Sequence, residues 1–224
     1  MNFSHRLSRQ LGAVKKVFLF LLVVIAGLGV VYGPELFGAL RFVESIEQQA
    51  ADLRASHPGR ELSLMCTDCH GPGGNSISQY YPQLAGQTAE YTRNQLSAFA
   101  SGERQSVAMN PLAATLSEQD IEQLAEYFAQ EPALANDSFN PDAELVALGE
   151  AKASMAGCAA CHGLGLVGEG NNPRLAGQGY RYLVTQLTNF RDGKRRDKGG
   201  IMMALSASLT DQEIIQLAQY MVTR

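Results

Sequence analysis

The pattern C-x-x-C-H occurs twice, in "MCTDCHGPGG" (Cys66, Cys69, His70) and, ninety-two residues later, in "GCAACHGLGL" (Cys158, Cys161, His162); these units hold all four cysteines of the 224-residue chain. No other feature constrains the fold so strongly, because whatever group these side chains hold is held twice. Three chemistries use such a pattern: a redox dithiol, half of a zinc site, and a covalent haem anchor. A disulfide framework has no use for a histidine after each second cysteine, and a zinc ribbon usually brings its two C-x-x-C halves much closer in sequence. A thioredoxin-like dithiol sits near a βαβ pattern, and the sequence carries none.

The repetition extends well beyond the cysteines. "YPQLAGQTAEYTRNQLSAFASGER" is echoed by "NPRLAGQGYRYLVTQLTNFRDGKR", with Pro82, Leu84, Ala85, Gly86, Gln87, Tyr91, Gln95, Leu96, Phe99, Gly102 and Arg104 recurring 91 residues later. "LSEQDIEQLAEYF" and "LTDQEIIQLAQYM" match at an offset of 93. The chain therefore divides into a basic flank and apolar segment (1–33), a helical linker (34–63) and two homologous domains (64–132 and 133–224) joined near the loop-forming "EPALANDSFNPD".

Each repeat reads as all-α. Ser117 with Asp120 and Thr210 with Glu213 resemble capping boxes that open the last helix of each repeat. Ile121, Leu124, Ala125 and Phe128 then follow helical spacing, as do Ile214, Leu217, Ala218 and Met221, so one face of each helix is expected to be buried. Gly102 and Gly193 suit the left-handed residue just past a helix. Apolar residues at Leu36, Leu40, Val43, Ile46 and Ala50 predict a further helix before the first repeat, ending at "HPGRE", where Pro58 disfavours helical geometry at His57.

The apolar run from Val17 to Gly33 follows Arg6, Arg9, Lys15 and Lys16 with no acidic residue, the layout of a membrane-targeting segment. Because no A-x-A-like cleavage site follows, the expectation is an uncleaved single-pass transmembrane helix in a bacterial inner membrane, with both cysteine motifs in the periplasm. A cleaved signal would keep the compartment and lose the tether.

Two C-x-x-C-H units in a duplicated, exported, helical chain point to two covalently attached haem c groups: the cysteine sulfurs form thioethers and the histidine is brought beneath the iron. The cofactor-binding residues are then Cys66, Cys69, His70, Cys158, Cys161 and His162, with His70 and His162 as iron ligands. Methionine is the usual partner for high-potential electron transfer. Met109 lies eight residues before Ser117, and eight residues before Thr210 is Met202, whose neighbour Met203 is its rival. Met65, Met155 and Met221 read as core filler, and His57 as solvated surface. Pro82 and Pro173, at nearly matching distances after the histidines, either supply carbonyls that orient the imidazoles or open the following helices.

Taken together, C-x-x-C-H-G, "P-x-L-A-G-Q", "Q-L-x-x-F-x-x-G-x-R", the methionine and the "L-[ST]-x-x-[DE]-I" helix start, each present twice within 64–224, resemble the cytochrome c4 family of dihaem cytochromes. The resemblance implies two tandem class I cytochrome c domains with His70/Met109 and His162/Met202 ligation and approximate two-fold symmetry. It further implies an electron carrier between a quinol-oxidising complex, such as a cytochrome bc1-type complex, and a terminal oxidase. A haem-bearing subunit of a dehydrogenase or respiratory complex is the alternative; a dihaem peroxidase or gas sensor requires an iron with an open sixth position.

Formal charge is −4 overall, without the positive excess of a nucleic-acid binder, and outer-sphere transfer calls for no small-molecule substrate. Residues 64–135 carry eight acidic and two basic side chains, whereas 136–224 carry nine of each, a polarity suited to orienting a redox partner.

Overall fold

A computed structural model describes residues 21–22, 28–30, 32–33, 36–49 and 58–224. The chain divides into two units, Met1–Ser56 and His57–Arg224. In the first, residues 36–49 are helical, as their apolar spacing predicts.

The membrane anchor is not sustained. Among the described residues no helix is long and apolar enough to cross a membrane, which corrects the expected single-pass helix and inner-membrane placement. A span needs about 20 apolar residues. The stretch 36–49 reaches only about 21 Å at 1.5 Å per residue and carries Arg41, Glu44 and Glu47. Most of the run from Val17 to Gly33 lies outside the described residues, as does His57.

The second unit holds both repeats, built alike. In the first, α1 (Pro58–Ser63), α2 (Thr67–His70), α3 (Ala89–Ala100), α4 (Met109–Ala113) and α5 (Glu118–Gln130) follow one another; in the second, α6 (Ala143–Met155), α7 (Cys158–His162), α8 (Tyr180–Arg191), α9 (Ile201–Ser206) and α10 (Asp211–Val222) do so. Among the described residues there is no strand, only one isolated bridge between Glu169 and Asn172.

Local chemistry explains the ends of these helices. Both capping boxes form: the Ser117 hydroxyl accepts from the Asp120 N–H and the Thr210 hydroxyl from the Glu213 N–H, with the carboxylates reaching back to the cap backbones. Each satisfies donors the first helical turn leaves unpaired. Gly102 and Gly193 adopt φ of 76° and 68° past α3 and α8. Ile121, Leu124, Ala125 and Phe128 are buried on α5, and Ile214, Leu217, Ala218 and Met221 on α10.

Each repeat is closed by a helix crossing at a glycine. A Cβ on Gly59 of α1 would lie 2.1 Å from the Gln123 carbonyl oxygen of α5, and one on Gly149 of α6 would lie 2.0 Å from that of Gln216 on α10. Pro58 opens a helix: it occupies the first helical position, where a missing N–H is harmless, and the bare glycine behind it lets the backbones touch. Between the repeats, Asn136 and Ser138 hydrogen-bond to Ser76, Ile77 and Gln79, and Phe139 stacks on Tyr180 with centroids 4.3 Å apart.

Candidate haem-attachment sites

Both C-x-x-C-H units sit on one short helical turn, α2 preceded by the 3-10 turn Leu64–Cys66, and α7. Glycine follows each histidine for a steric reason. Gly71 and Gly163 share φ 76° with ψ 164° and 163°, a conformation that side-chain-bearing residues avoid, and a Cβ on Gly71 would meet the Asn75 carbonyl oxygen at 2.2 Å.

No disulfide joins the four cysteines; Cys66 and Cys158 are half-buried and Cys69 and Cys161 exposed. Burial, and secondarily the neighbouring Cys69, pushes the Cys66 thiol up to about 11; burial likewise raises Cys158. A dithiol oxidoreductase needs the opposite, a thiolate stabilised near neutrality. Zinc fares no better, since among the described residues no three His, Cys, Asp or Glu side chains converge as a metal site.

The histidines are arranged for ligation. His70 is buried and its Nδ1 lies 2.8 Å from the Pro82 carbonyl oxygen; His162 repeats the contact to Pro173, also at 2.8 Å. Burial pulls both imidazoles below their ordinary pKa, opposed by the proline carbonyls, so the neutral ring is favoured. With Nδ1–H donating to a carbonyl, the lone pair lies on Nε2, the tautomer an iron ligand requires. Pro82 and Pro173 thus act through their carbonyls and open no helix, for α3 and α8 begin seven residues later.

Met109 begins α4, its N–H donating to the Ser106 hydroxyl at 3.2 Å. Met202 lies in the first turn of α9, its N–H donating to Asp197 at 3.2 Å, and packs against the core of the second repeat; Met203 makes the adjacent contact to Asp197. Sequence reasoning passed over Asn110, whose amide binds the Phe99 and Arg104 carbonyls and accepts from the Ser106 N–H, fixing the Met109 loop to the end of α3. Its counterpart at an offset of 93 is Met203, which makes Met202 the counterpart of Met109. Met221 is core, but Met65 and Met155 are 52% and 79% exposed, correcting their reading as filler. They stand one and three residues before the first cysteine of each motif, on surface the local core does not cover.

The donor set fits haem c at both places: two sulfurs and a neutral imidazole lie on one turn, and each repeat leaves large apolar side chains exposed, Leu64, Ile77 and Val107 in the first and Leu164, Val167 and Ile201 in the second. An apolar macrocycle suits that surface better than water does.

A layer of buried amides, unrecognised in the sequence, joins the repeats. Gln83, Gln87, Arg174 and Gln178 are all buried. Gln178 accepts from the Gln83 N–H at 2.9 Å and donates to its carbonyl at 2.6 Å; Gln87 accepts from the Arg174 N–H at 2.7 Å and donates to its carbonyl at 3.2 Å. The available signal was the glutamine of "P-x-L-A-G-Q" itself, recurring at the 91-residue offset.

Comparison with known proteins agrees with this geometry. The cytochrome c family matches residues 56–131 and 146–224. The chain is 34% identical over 174 residues to cytochrome c4 of Pseudomonas aeruginosa, covering 72% of this chain and 85% of that protein. It is 31% identical over 198 residues to the thiosulfate dehydrogenase electron acceptor of Stutzerimonas stutzeri, covering 83% and 92%. Reduced recombinant cytochrome c4 from Pseudomonas stutzeri superposes with a TM-score of 0.68 at 31% identity, covering 74% of this chain and 96% of that one.

Proposed function

The chain belongs to the cytochrome c family, within its cytochrome c4 branch, and on that premise we propose that it carries electrons in the periplasm from a quinol-oxidising complex to a terminal oxidase. It is a dihaem electron carrier and not an enzyme. The second haem domain is assigned to residues 133–224, and the first to residues 64–132 together with α1, whose Gly59 packs on α5.

When bound, each haem c supplies a one-electron ferric/ferrous couple. Cys66 and Cys69 would hold the first haem by thioethers, and Cys158 and Cys161 the second. His70 and Met109 would ligate the iron in the first domain, His162 and Met202 in the second. The Pro82 and Pro173 carbonyls fix the imidazole tautomers, and the surrounding apolar side chains exclude water. With both haems in place the chain would pass electrons singly from donor to acceptor.

The observation that carries this reading is the repeated imidazole-to-carbonyl contact, 2.8 Å at both sites. Two sites built alike support two six-coordinate carriers better than a division into a catalytic and a relay haem. The test is a potentiometric titration followed by visible spectroscopy, with carbon monoxide added to the reduced protein. Two low-spin centres at positive potential, both inert to carbon monoxide, are expected; a haem that binds it overturns the methionine assignment at that site.

A second reading, a thiosulfate dehydrogenase electron acceptor, is favoured by the Stutzerimonas stutzeri relative, which the chain matches over 92% of its length. Rapid mixing of the oxidised protein with each reduced donor distinguishes the two by which one reduces it.

A further inference from the structure

We infer that each haem ligand is tuned by the other domain: Gln178 sets the electron-donating strength of His70, and Gln87 sets that of His162. The inference rests on the axial assignment proposed above and deepens it.

The argument concerns two peptide units. The Pro82–Gln83 unit has its carbonyl 2.8 Å from His70 Nδ1, while its N–H donates to Gln178 Oε1 at 2.9 Å. The Pro173–Arg174 unit has its carbonyl 2.8 Å from His162 Nδ1, while its N–H donates to Gln87 Oε1 at 2.7 Å. Each glutamine closes a two-bond ring by donating Nε2 to the carbonyl of the residue it grips, Gln83 or Arg174. That N–H and C=O pattern fixes which end of each amide is oxygen.

An amide whose N–H is engaged carries a more negative oxygen, and hydrogen bonds in series strengthen one another by about 10–30% each. Here the two bonds share one conjugated peptide plane. The stronger acceptor draws harder on Nδ1–H, enriches the imidazole and favours the ferric state of the iron it binds. Both glutamines are buried, so water does not readily replace the missing partner. Because each glutamine lies 95 or 87 residues from the peptide it grips, in the opposite repeat, the tuning crosses the domain interface. By linkage, oxidation of one haem tightens the docking of the other domain. Gln87 and Gln178 are therefore positioning residues.

The experiment is a redox titration of the full haem-loaded chain carrying Gln178→Leu, Gln87→Leu or Gln178→Glu, with midpoints assigned to domains through Met109→His. On the axial reading Met109→His displaces only the first domain's midpoint far to the negative side; if it moves neither, the axial reading fails, independently of the glutamine result. Gln178→Leu is expected to raise the first domain's ferrous/ferric ratio at fixed potential three- to tenfold, about 28 to 59 mV for one electron, and to move the second by less than twofold. Gln87→Leu is expected to do the reverse. Equal shifts at both haems, a shift confined to the glutamine's own domain, or none at either overturns the inference. Small-angle scattering reports whether a leucine variant has undocked. In that event Gln178→Glu decides, since it keeps an acceptor for the Gln83 N–H: no rise in the first midpoint supports the inference, and a rise matching that of Gln178→Leu overturns it.

Discussion

The Arg104 guanidinium of the first repeat donates to the Tyr182 hydroxyl of the second at 3.2 Å, and Arg195 of the second donates to Tyr91 of the first at 2.8 Å. The two contacts are copies at an offset of 91 residues. Gln95 and Gln186 complete the cluster, each accepting from both arginines. Among the described residues no carboxylate pairs with either guanidinium, so hydrogen bonds to neutral oxygens hold the cations at the junction. Burial works to push the Tyr182 hydroxyl up, but the two guanidiniums outweigh it and hold the group below the usual phenol range.

Removing one arginine should loosen this junction. Arg195→Met keeps apolar bulk over the Phe190 ring, where the guanidinium now sits 4.6 Å from the centroid, yet loses three hydrogen bonds to Gln186, Tyr91 and Gln95. The expected cost is about 1–3 kcal/mol, read as a lower denaturant midpoint. A midpoint unchanged from wild type would show that the cluster contributes nothing to stability.

Gly149→Ala should destabilise the second domain by about 1–3 kcal/mol despite the better helix propensity of alanine. The new methyl would meet the Gln216 backbone carbonyl, which has no rotamer to retreat into. Gly59→Ala should do the same in the first domain. Thermal unfolding of both variants checks the pair.

Met202→Ala is expected to open one haem to carbon monoxide in the reduced protein, whereas Met203→Ala leaves both low-spin spectra intact. Carbon monoxide binding in Met203→Ala alone would exchange their roles.

The Glu213 carboxyl is held at about 2 by the Lys152 ammonium and the Thr210 N–H, against an ordinary value of 4.5. A carboxyl depressed in the folded state adds stability above its unfolded pKa and loses that contribution as pH falls through the folded value. The expected window is therefore pH 4.5 down to 2. Lys152→Met should flatten the fall in melting temperature across it, and an unaltered profile would remove the ion pair from the account.

Legibility in the sequence followed the range of the forces involved. The last helix of each repeat was readable to the residue because its cap and its buried face lie within a few positions of each other, as in Ser117, Asp120, Ile121 and Leu124. The role of Pro58 was not, since its consequence depends on Gln123 approaching Gly59 from a helix some sixty residues away. Met65 and Met155 were misjudged for a similar reason: apolarity is a property of the side chain, but burial depends on what the rest of the chain brings over it.

By itself the sequence determined that the chain is a duplicated, helical, twice C-x-x-C-H-bearing protein, and it singled out His70, His162, Met109 and Met202, because local spacing and internal repetition survive in one dimension. Only the tertiary structure decided that the two copies face each other through their own repeated residues. A repeat records that Gln87 and Gln178 are equivalent. That each grips the peptide orienting the opposite histidine depends on hydrogen bonds a few ångströms long between residues nearly ninety or more apart, and these exist only once the two domains have docked.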